Sequence, residues 1–268
     1  MRLIIKILPK EIFAYEEINK YFIHSFIWNL LKDTEFSKFH DTNKFKFFTF
    51  SNIFPVSGFK FNEEKQFVVS SPNDYFIETV AKALRNTRYF KLGIHEFELK
   101  EFKKFSMGLK QRWETATPIV LYENNNTNTY YSINRNPDLN FFLERLKDNA
   151  LKKFNAFYNK NFGFEEPLFD RMFFKRQVAT HIRKNQAEFL FLGTLWEFEI
   201  DLLRINREKN EKKIKFYEFI MDCGLGEKNS FGFGCVNMQR EKGWREKKDF
   251  QANRRQRQDK ALISYEHD

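Results

Sequence analysis

Glycine is scarce in this chain, with 10 in 268 residues, about half of what the ~7% of average usage would supply. Cysteine is scarcer still: Cys223 and Cys235 cannot build a disulfide framework, and their spacing fits no zinc pattern. No run of about 18 apolar residues occurs, and the opening MRLIIKILPK is interrupted at Lys6 and Pro9, so neither a membrane span nor a secretory leader is expected. These absences imply a cytoplasmic protein of a reducing compartment, without metal or cofactor. Acidic residues are also in deficit, 36 against 46 Lys and Arg, which gives net charge +10 and a pI near 9.4. A polyanionic partner fits that balance, because each cation placed near a phosphate releases condensed counterions.

What is present excludes wholesale disorder: 42% of the residues are hydrophobic, enough to bury a core, and at roughly 150 residues per domain the length suggests two small domains. The 35 phenylalanines match codon usage in an AT-rich genome, and number alone assigns them no function. Leu3, Ile5 and Ile7 alternate as a strand, and Ile18, Phe22, Phe26 and Leu30 repeat as the apolar face of a helix spanning about Phe13 to Leu31. Lys44 to Phe50 reads as a second strand, followed by extended chain to Val69. Ser71-Pro72 opens a helix carrying Ile77, Val80 and Leu84, and Phe90 to Leu99 reads as a last strand whose phase slips near Gly93. That order, βαββαβ, is the ferredoxin-like pattern.

The theme returns more loosely after a charged stretch. A hairpin flanks Asn124 to Asn128, an amphipathic helix follows Pro137, two long strands span about 169–183 and 187–200, and a helix runs to Met221. The expected class is α+β, with two tandem ferredoxin-like (RRM-like) domains. Residues 1–104 form the first, 105–117 a linker, 118–238 the second, and 239–268 a basic, solvated tail too poor in apolar residues to fold.

Four of the ten glycines, Gly224, Gly226, Gly232 and Gly234, fall within eleven residues. The window fails the Walker and GxGxxG patterns. Gly224 suits a helix end, Gly226 a tight turn, and Gly232 and Gly234 a strand that something approaches closely. Lys228, Asn229 and Ser230 between them combine a cation and short donors suited to a phosphate. Phe231 to Val236 also partly overlays the RNA-recognition signature, without its leading cation and second aromatic.

GhGxxxxxGhG with a cation inside is the glycine-rich loop of the Cas6 endoribonucleases, and Leu225, Phe233 and Lys228 complete it here. Phe39-His40 followed by Phe47-Phe48-Thr49-Phe50-Ser51 resembles that family's histidine segment and Phe-Thr-Phe-Ser strand, so the resemblance spans about residues 1–238. It implies metal-independent cleavage of CRISPR precursor RNA within its repeats, in antiviral defence. The 2′-hydroxyl attacks the adjacent phosphate and leaves a 2′,3′-cyclic phosphate and a 5′-hydroxyl. His40 is the implied general acid or base, Lys46 its catalytic partner with Lys44 as alternate, and Gly224, Gly226, Lys228, Asn229, Ser230, Gly232 and Gly234 the implied RNA-binding loop. A tyrosine on the first helix, which some members use, has no clear counterpart, since Tyr21 falls short of the place that His24 and Ser25 approach. Lys175, Arg176, Arg183 and Lys184 make the long hairpin basic, a second surface for RNA phosphates. Expected partners are repeat RNA and other CRISPR subunits, with no membrane, in a monomer or homodimer. Two alternatives stand beside this: a non-cleaving RNA-binding subunit, and an RRM-like protein in which Phe233 would stack on single-stranded RNA.

Overall fold

The computed structural model describes residues 1–124, 126–184, 187–207 and 210–239, so the tail expected from 239 lies, from 240 onward, outside the described residues. In the first half, β1 (Arg2–Pro9) supplies the centre of the sheet, with Leu3, Ile5 and Ile7 fully buried. Helix α1 (Lys20–Leu30) starts later than Phe13, because Asn19 caps it by accepting the Tyr21 N–H, while Phe13 pairs in a bridge with Phe59. Its buried face is Ile23, Phe26 and Ile27, about one residue round from the expected stripe. Strands β2 (Thr49–Phe50) and β3 (Lys65–Ser70) follow, then α2 (Asp74–Arg85), where the Asn73 Oδ1 accepts the Phe76 N–H at 3.2 Å. The phase slip near Gly93 is a reversal: β4 (Tyr89–Leu92) and β5 (His95–Phe105) form a hairpin, and Gly93 takes φ +64° at its turn. The sheet order is β2-β3-β1-β5-β4, a ferredoxin-like sheet in which β5 is the fourth strand and β4 an added edge.

The strand expected over Lys44 to Phe50 shrinks to Thr49–Phe50. Phe47 adopts φ +52°, which breaks the alternation, so Lys44 and Lys46 do not share a strand face; both lie on an irregular loop.

The second half opens with β6 (Arg112–Thr115), inside the stretch expected as a linker, and continues through the short hairpin β7 (Tyr122–Asn124) and β8 (Thr129–Tyr130) to α3 (Leu139–Tyr158). The hairpin β9 (Arg171–Lys184) and β10 (Ala187–Glu199) leads into α4 (Leu202–Arg207), α5 (Glu211–Cys223) and β11 (Val236–Met238). The order β11-β6-β10-β9 repeats the ferredoxin-like order, with β7–β8 inserted before its first helix. Arg2, fully buried, joins the halves. Its guanidinium donates to Met221 O and Val236 O at 2.8 Å each and to Asp222 Oδ1 and Asn237 Oδ1 at 3.1 Å each, so the start of β1 is fixed against the end of α5 and β11. No helix among the described residues is long and apolar enough to cross a membrane.

Candidate functional site

A cleft of about 670 Å³ opens where α1, the loop before β2, α3 and the glycine window meet; Tyr21, His24, His40, Lys44, Lys46 and Lys228 are among its lining residues. The window forms one wall. Helix α5 ends at Gly224, whose N–H donates to Ile220 O, and Lys228 turns left-handed at φ +56° into a 3₁₀ turn, Asn229–Phe231. Gly232 and Gly234 also have positive φ, and a Cβ on Gly234 would sit on the Leu225 carbonyl while one on Gly232 would overlap the Phe50 ring. The strand expected from Gly232 begins only at Val236.

Two buried ammonium groups hold the loop's carbonyls from behind. Lys153 on α3 donates to Gly224 O at 2.7 Å, Gly226 O at 2.9 Å and Asn229 Oδ1 at 2.8 Å. Lys20 on α1 donates to Gly232 O at 2.8 Å and Asn52 Oδ1 at 2.9 Å, and burial pulls its pKa down to about 7. Asn229, expected among the RNA contacts, braces the loop from within: its Nδ2 donates to Leu225 O and Phe233 O, both at 3.0 Å. Lys228 stays exposed, its Nζ 5.5 Å from the centre of the Tyr122 ring. Phe233 is fully buried against Phe191, so the base stacking required by the RRM-like alternative is unavailable to it.

His40 follows the 3₁₀ turn Glu35–Phe39, which Thr34 caps by accepting the Phe36 N–H. Its ring stands edge-on to Trp28, with centroids 5.0 Å apart, and its Nδ1 lies 2.6 Å from Asp41 Oδ1. Its side chain is 46% exposed, toward the cleft. His24 is the residue that helical periodicity missed. It is 8% exposed, stacks on Phe231 with centroids 4.1 Å apart, and its ring centre is 6.0 Å from that of His40. The Nδ1 of His24 is 2.8 Å from Ser230 O, and since a carbonyl only accepts, that nitrogen carries the proton and Nε2 is the acceptor of the neutral ring. A signal was available: Tyr21, His24 and Trp28 fall three and four apart, a second helical stripe beside the core face.

Lys46 clasps the histidine loop. Its ammonium donates to the carbonyl of Phe39, to Thr42 O at 2.6 Å and to Thr42 Oγ1 at 3.0 Å, and burial holds its pKa below the ordinary lysine value. Lys44 is exposed at the rim. The basic hairpin is not brought to this cleft. Lys175 pairs with Glu197 at 3.0 Å and Arg183 with Glu188 at 3.4 Å, Arg176 is exposed, and the side chain of Lys184 lies outside those described. The hairpin does reach α1, where Asn19 Nδ2 donates to Arg183 O at 3.2 Å. Among the described residues no three His, Cys, Asp or Glu side chains gather as a metal site.

The family model described as CRISPR associated protein Cas6, C-terminal, matches residues 99–238. The chain is 42% identical over 248 residues to the CRISPR-associated endoribonuclease Cas6 2 of Methanocaldococcus jannaschii, covering 88% of this chain and 99% of that protein. It is 30% identical over 251 residues to the CRISPR-associated endoribonuclease Cas6 1 of the same organism, covering 86% and 89%. Among solved structures, a CRISPR associated protein Cas6 superposes with TM-score 0.66 at 24% identity, over 90% of this chain and 99% of the other. The product of a Cas6-related gene from Pyrococcus furiosus gives 0.63 at 20%, over 90% and 99%. These two likenesses bear on the tandem ferredoxin-like fold, and the identities over nearly the full length carry the rest: the chain belongs to the Cas6 family.

Proposed function

We infer that this chain is an endoribonuclease that cleaves CRISPR precursor RNA. Its substrate is repeat RNA, and the bond is cut in the cleft shared by α1, the His40 loop and the glycine window. The 2′-oxygen forms a bond to phosphorus as the bond from phosphorus to the 5′-oxygen breaks. One histidine takes the 2′ proton and the other protonates the leaving oxygen, with His40 as general acid or base and His24 as its complement. The product ends are a 2′,3′-cyclic phosphate and a 5′-hydroxyl.

The observation that carries this proposal is the pair of imidazoles with centres 6.0 Å apart in one cleft, each with its Nδ1 beside an oxygen acceptor that fixes the ring. Lys228 and Lys44 supply positive charge at the rim for a phosphate whose charge grows in the transition state. Lys46 acts through the loop it clasps, and Lys175, Arg176 and Arg183 meet RNA backbone farther from the cut. Single-turnover cleavage of a repeat RNA by wild type and His40→Ala, in EDTA, tests the assignment. Cleavage at one position by wild type and its loss in the variant are expected, while undiminished cleavage by the variant removes His40 from the chemistry.

A further inference from the structure

The segment from Phe39 to Phe50 carries five phenylalanines, and four of them are committed to packing. Phe48 and Phe50 are fully buried, Phe39 packs against the core of the first half, and the Phe47 ring stands edge-on to Phe157 of α3 with centroids 5.0 Å apart. Phe45 is the exception. It is 41% exposed and leans on the Phe47 ring at 45°, with centroids 5.8 Å apart. It also lines the cleft, and among the described residues no other exposed large hydrophobic side chain does so. The loop that displays this ring is tethered on both sides of it. The Lys46 ammonium gathers the carbonyls of Phe39 and Thr42, and Ser71 Oγ donates to Phe47 O at 2.7 Å. The first of these contacts folds the loop back on itself, so the residue after Phe45 touches the carbonyl of the residue before His40.

We propose that Phe45 is the platform on which one unpaired base flanking the scissile phosphate stacks. This rests on the RNA-cleavage reading above. A single-stranded RNA site combines cations that follow the phosphates with an aromatic face that takes a base, and this cleft carries both: Lys44 and Lys228 are exposed on the same lining as Phe45. The base must be splayed out of any duplex, since paired bases are covered by their neighbours in the stack. Phenylalanine has no hydrogen-bonding group with which to read a base edge, so the contact is made through the π-face and tolerates any of the four bases. Stacking takes the exposed ring out of water and fixes one nucleotide beside His40, which restricts the cleft to a single phosphate of the bound strand. A loop held at both sides presents the ring without having to be ordered when RNA arrives, so little of the stacking energy is spent on the loop.

The test uses the full chain carrying His40→Ala, so that binding is measured without cleavage. Fluorescence anisotropy is recorded with a CRISPR repeat RNA and with copies in which each unpaired nucleotide is made abasic in turn. One position is expected to lose affinity ~5- to 150-fold, the worth of a single stacked base. Adding Phe45→Ala weakens binding of the intact RNA by a similar factor and abolishes the abasic penalty at that position alone. Phe45→Trp keeps both the affinity and the penalty, whereas Phe45→Leu, apolar but without a ring, behaves as alanine does. Abasic penalties that all survive Phe45→Ala, or leucine that serves as well as tryptophan, overturn the proposal, as does failure to bind repeat RNA at all. The unmutated chain is assayed for cleavage in parallel. Coupling between Phe45 and one base without any cleavage by the unmutated chain keeps the stacking platform and removes the nuclease reading. Cleavage without that coupling does the reverse.

Discussion

Replacing Lys153 by methionine removes the main support of the glycine loop while keeping the length of the side chain. The ammonium is 2% exposed and donates to three acceptors, Gly224 O, Gly226 O and Asn229 Oδ1, at 2.7, 2.9 and 2.8 Å. Methionine donates to none of them. A buried acceptor left without a partner costs roughly 1–3 kcal/mol, so three at the low end cost about 3 kcal/mol. Part of that is returned, because burial already holds the Lys153 pKa below its ordinary value and the variant no longer buries a charge. The net loss is about 2–3 kcal/mol, or ~4–12 °C in melting temperature for a chain of this size. Thermal and urea unfolding followed by circular dichroism measure it, with Lys152→Met as the neighbouring control. Lys152 has a 64% exposed side chain and, among the described residues, a surface pair with Asp148, so its loss changes stability by ~0.5 kcal/mol or less. Equal melting temperatures for the two variants would refute the clamp. Cleavage by Lys153→Met, assayed below its melting range, is also expected to fall, since the carbonyls that Lys153 gathers shape one wall of the cleft.

The pKa of Lys20, lowered by burial from 10.5 to about 7, makes stability depend on pH. Between those values the unfolded chain holds a proton that the folded chain has released, so stability gains up to about 1.4 kcal/mol per pH unit as pH rises, and the gain is absent below about pH 7. Lys20→Met removes this contribution; a difference in stability between wild type and variant that stays constant from pH 7 to 10 would contradict it. Gly234→Ala sets a Cβ on the Leu225 carbonyl at φ +66° and is expected to destabilise by ~2–4 kcal/mol in chemical denaturation, while Gly108→Ala, with nothing within 4 Å, has little effect. His24→Ala is expected to slow single-turnover cleavage ~10²- to 10⁴-fold with repeat-RNA binding retained; a rate close to wild type assigns His24 to packing alone.

Much of the fold is legible from periodicity, and the exceptions share a physical cause. β1 and α2 follow from alternation and from a capped amphipathic pattern because one face of each meets the core and the other meets water. Periodicity fails where the backbone leaves regular dihedrals without a sequence mark. Phe47 turns at φ +52° although nothing in Lys-Phe-Lys-Phe-Phe announces it, and the turn at Gly93 was masked by apolar residues on both sides. β6 was hidden because four residues, Arg-Trp-Glu-Thr, are too few to show a period, and its partner β10 lies far along the chain. The candidate site divides in the same way. Clustered glycines and Phe39-His40 are local signals, and His40 and the window's segment 226–231 line the cleft. His24 and the buried Lys153 become functional candidates only through contacts with distant segments, which no window of sequence displays. The basic hairpin shows the converse: its charges are plain in sequence, yet Lys175 and Arg183 are engaged by Glu197 and Glu188 on the neighbouring strand.

The central claim is cleavage by an internal 2′-hydroxyl. Its most direct test is a repeat RNA with a single 2′-deoxy substitution at the nucleotide preceding the mapped cut, incubated with the wild-type chain in EDTA beside the all-ribose RNA. The account predicts that the all-ribose RNA yields a 5′ fragment whose mass carries a cyclic phosphate, and that the deoxy RNA binds but stays intact. Cutting of the deoxy RNA at the same position would contradict it.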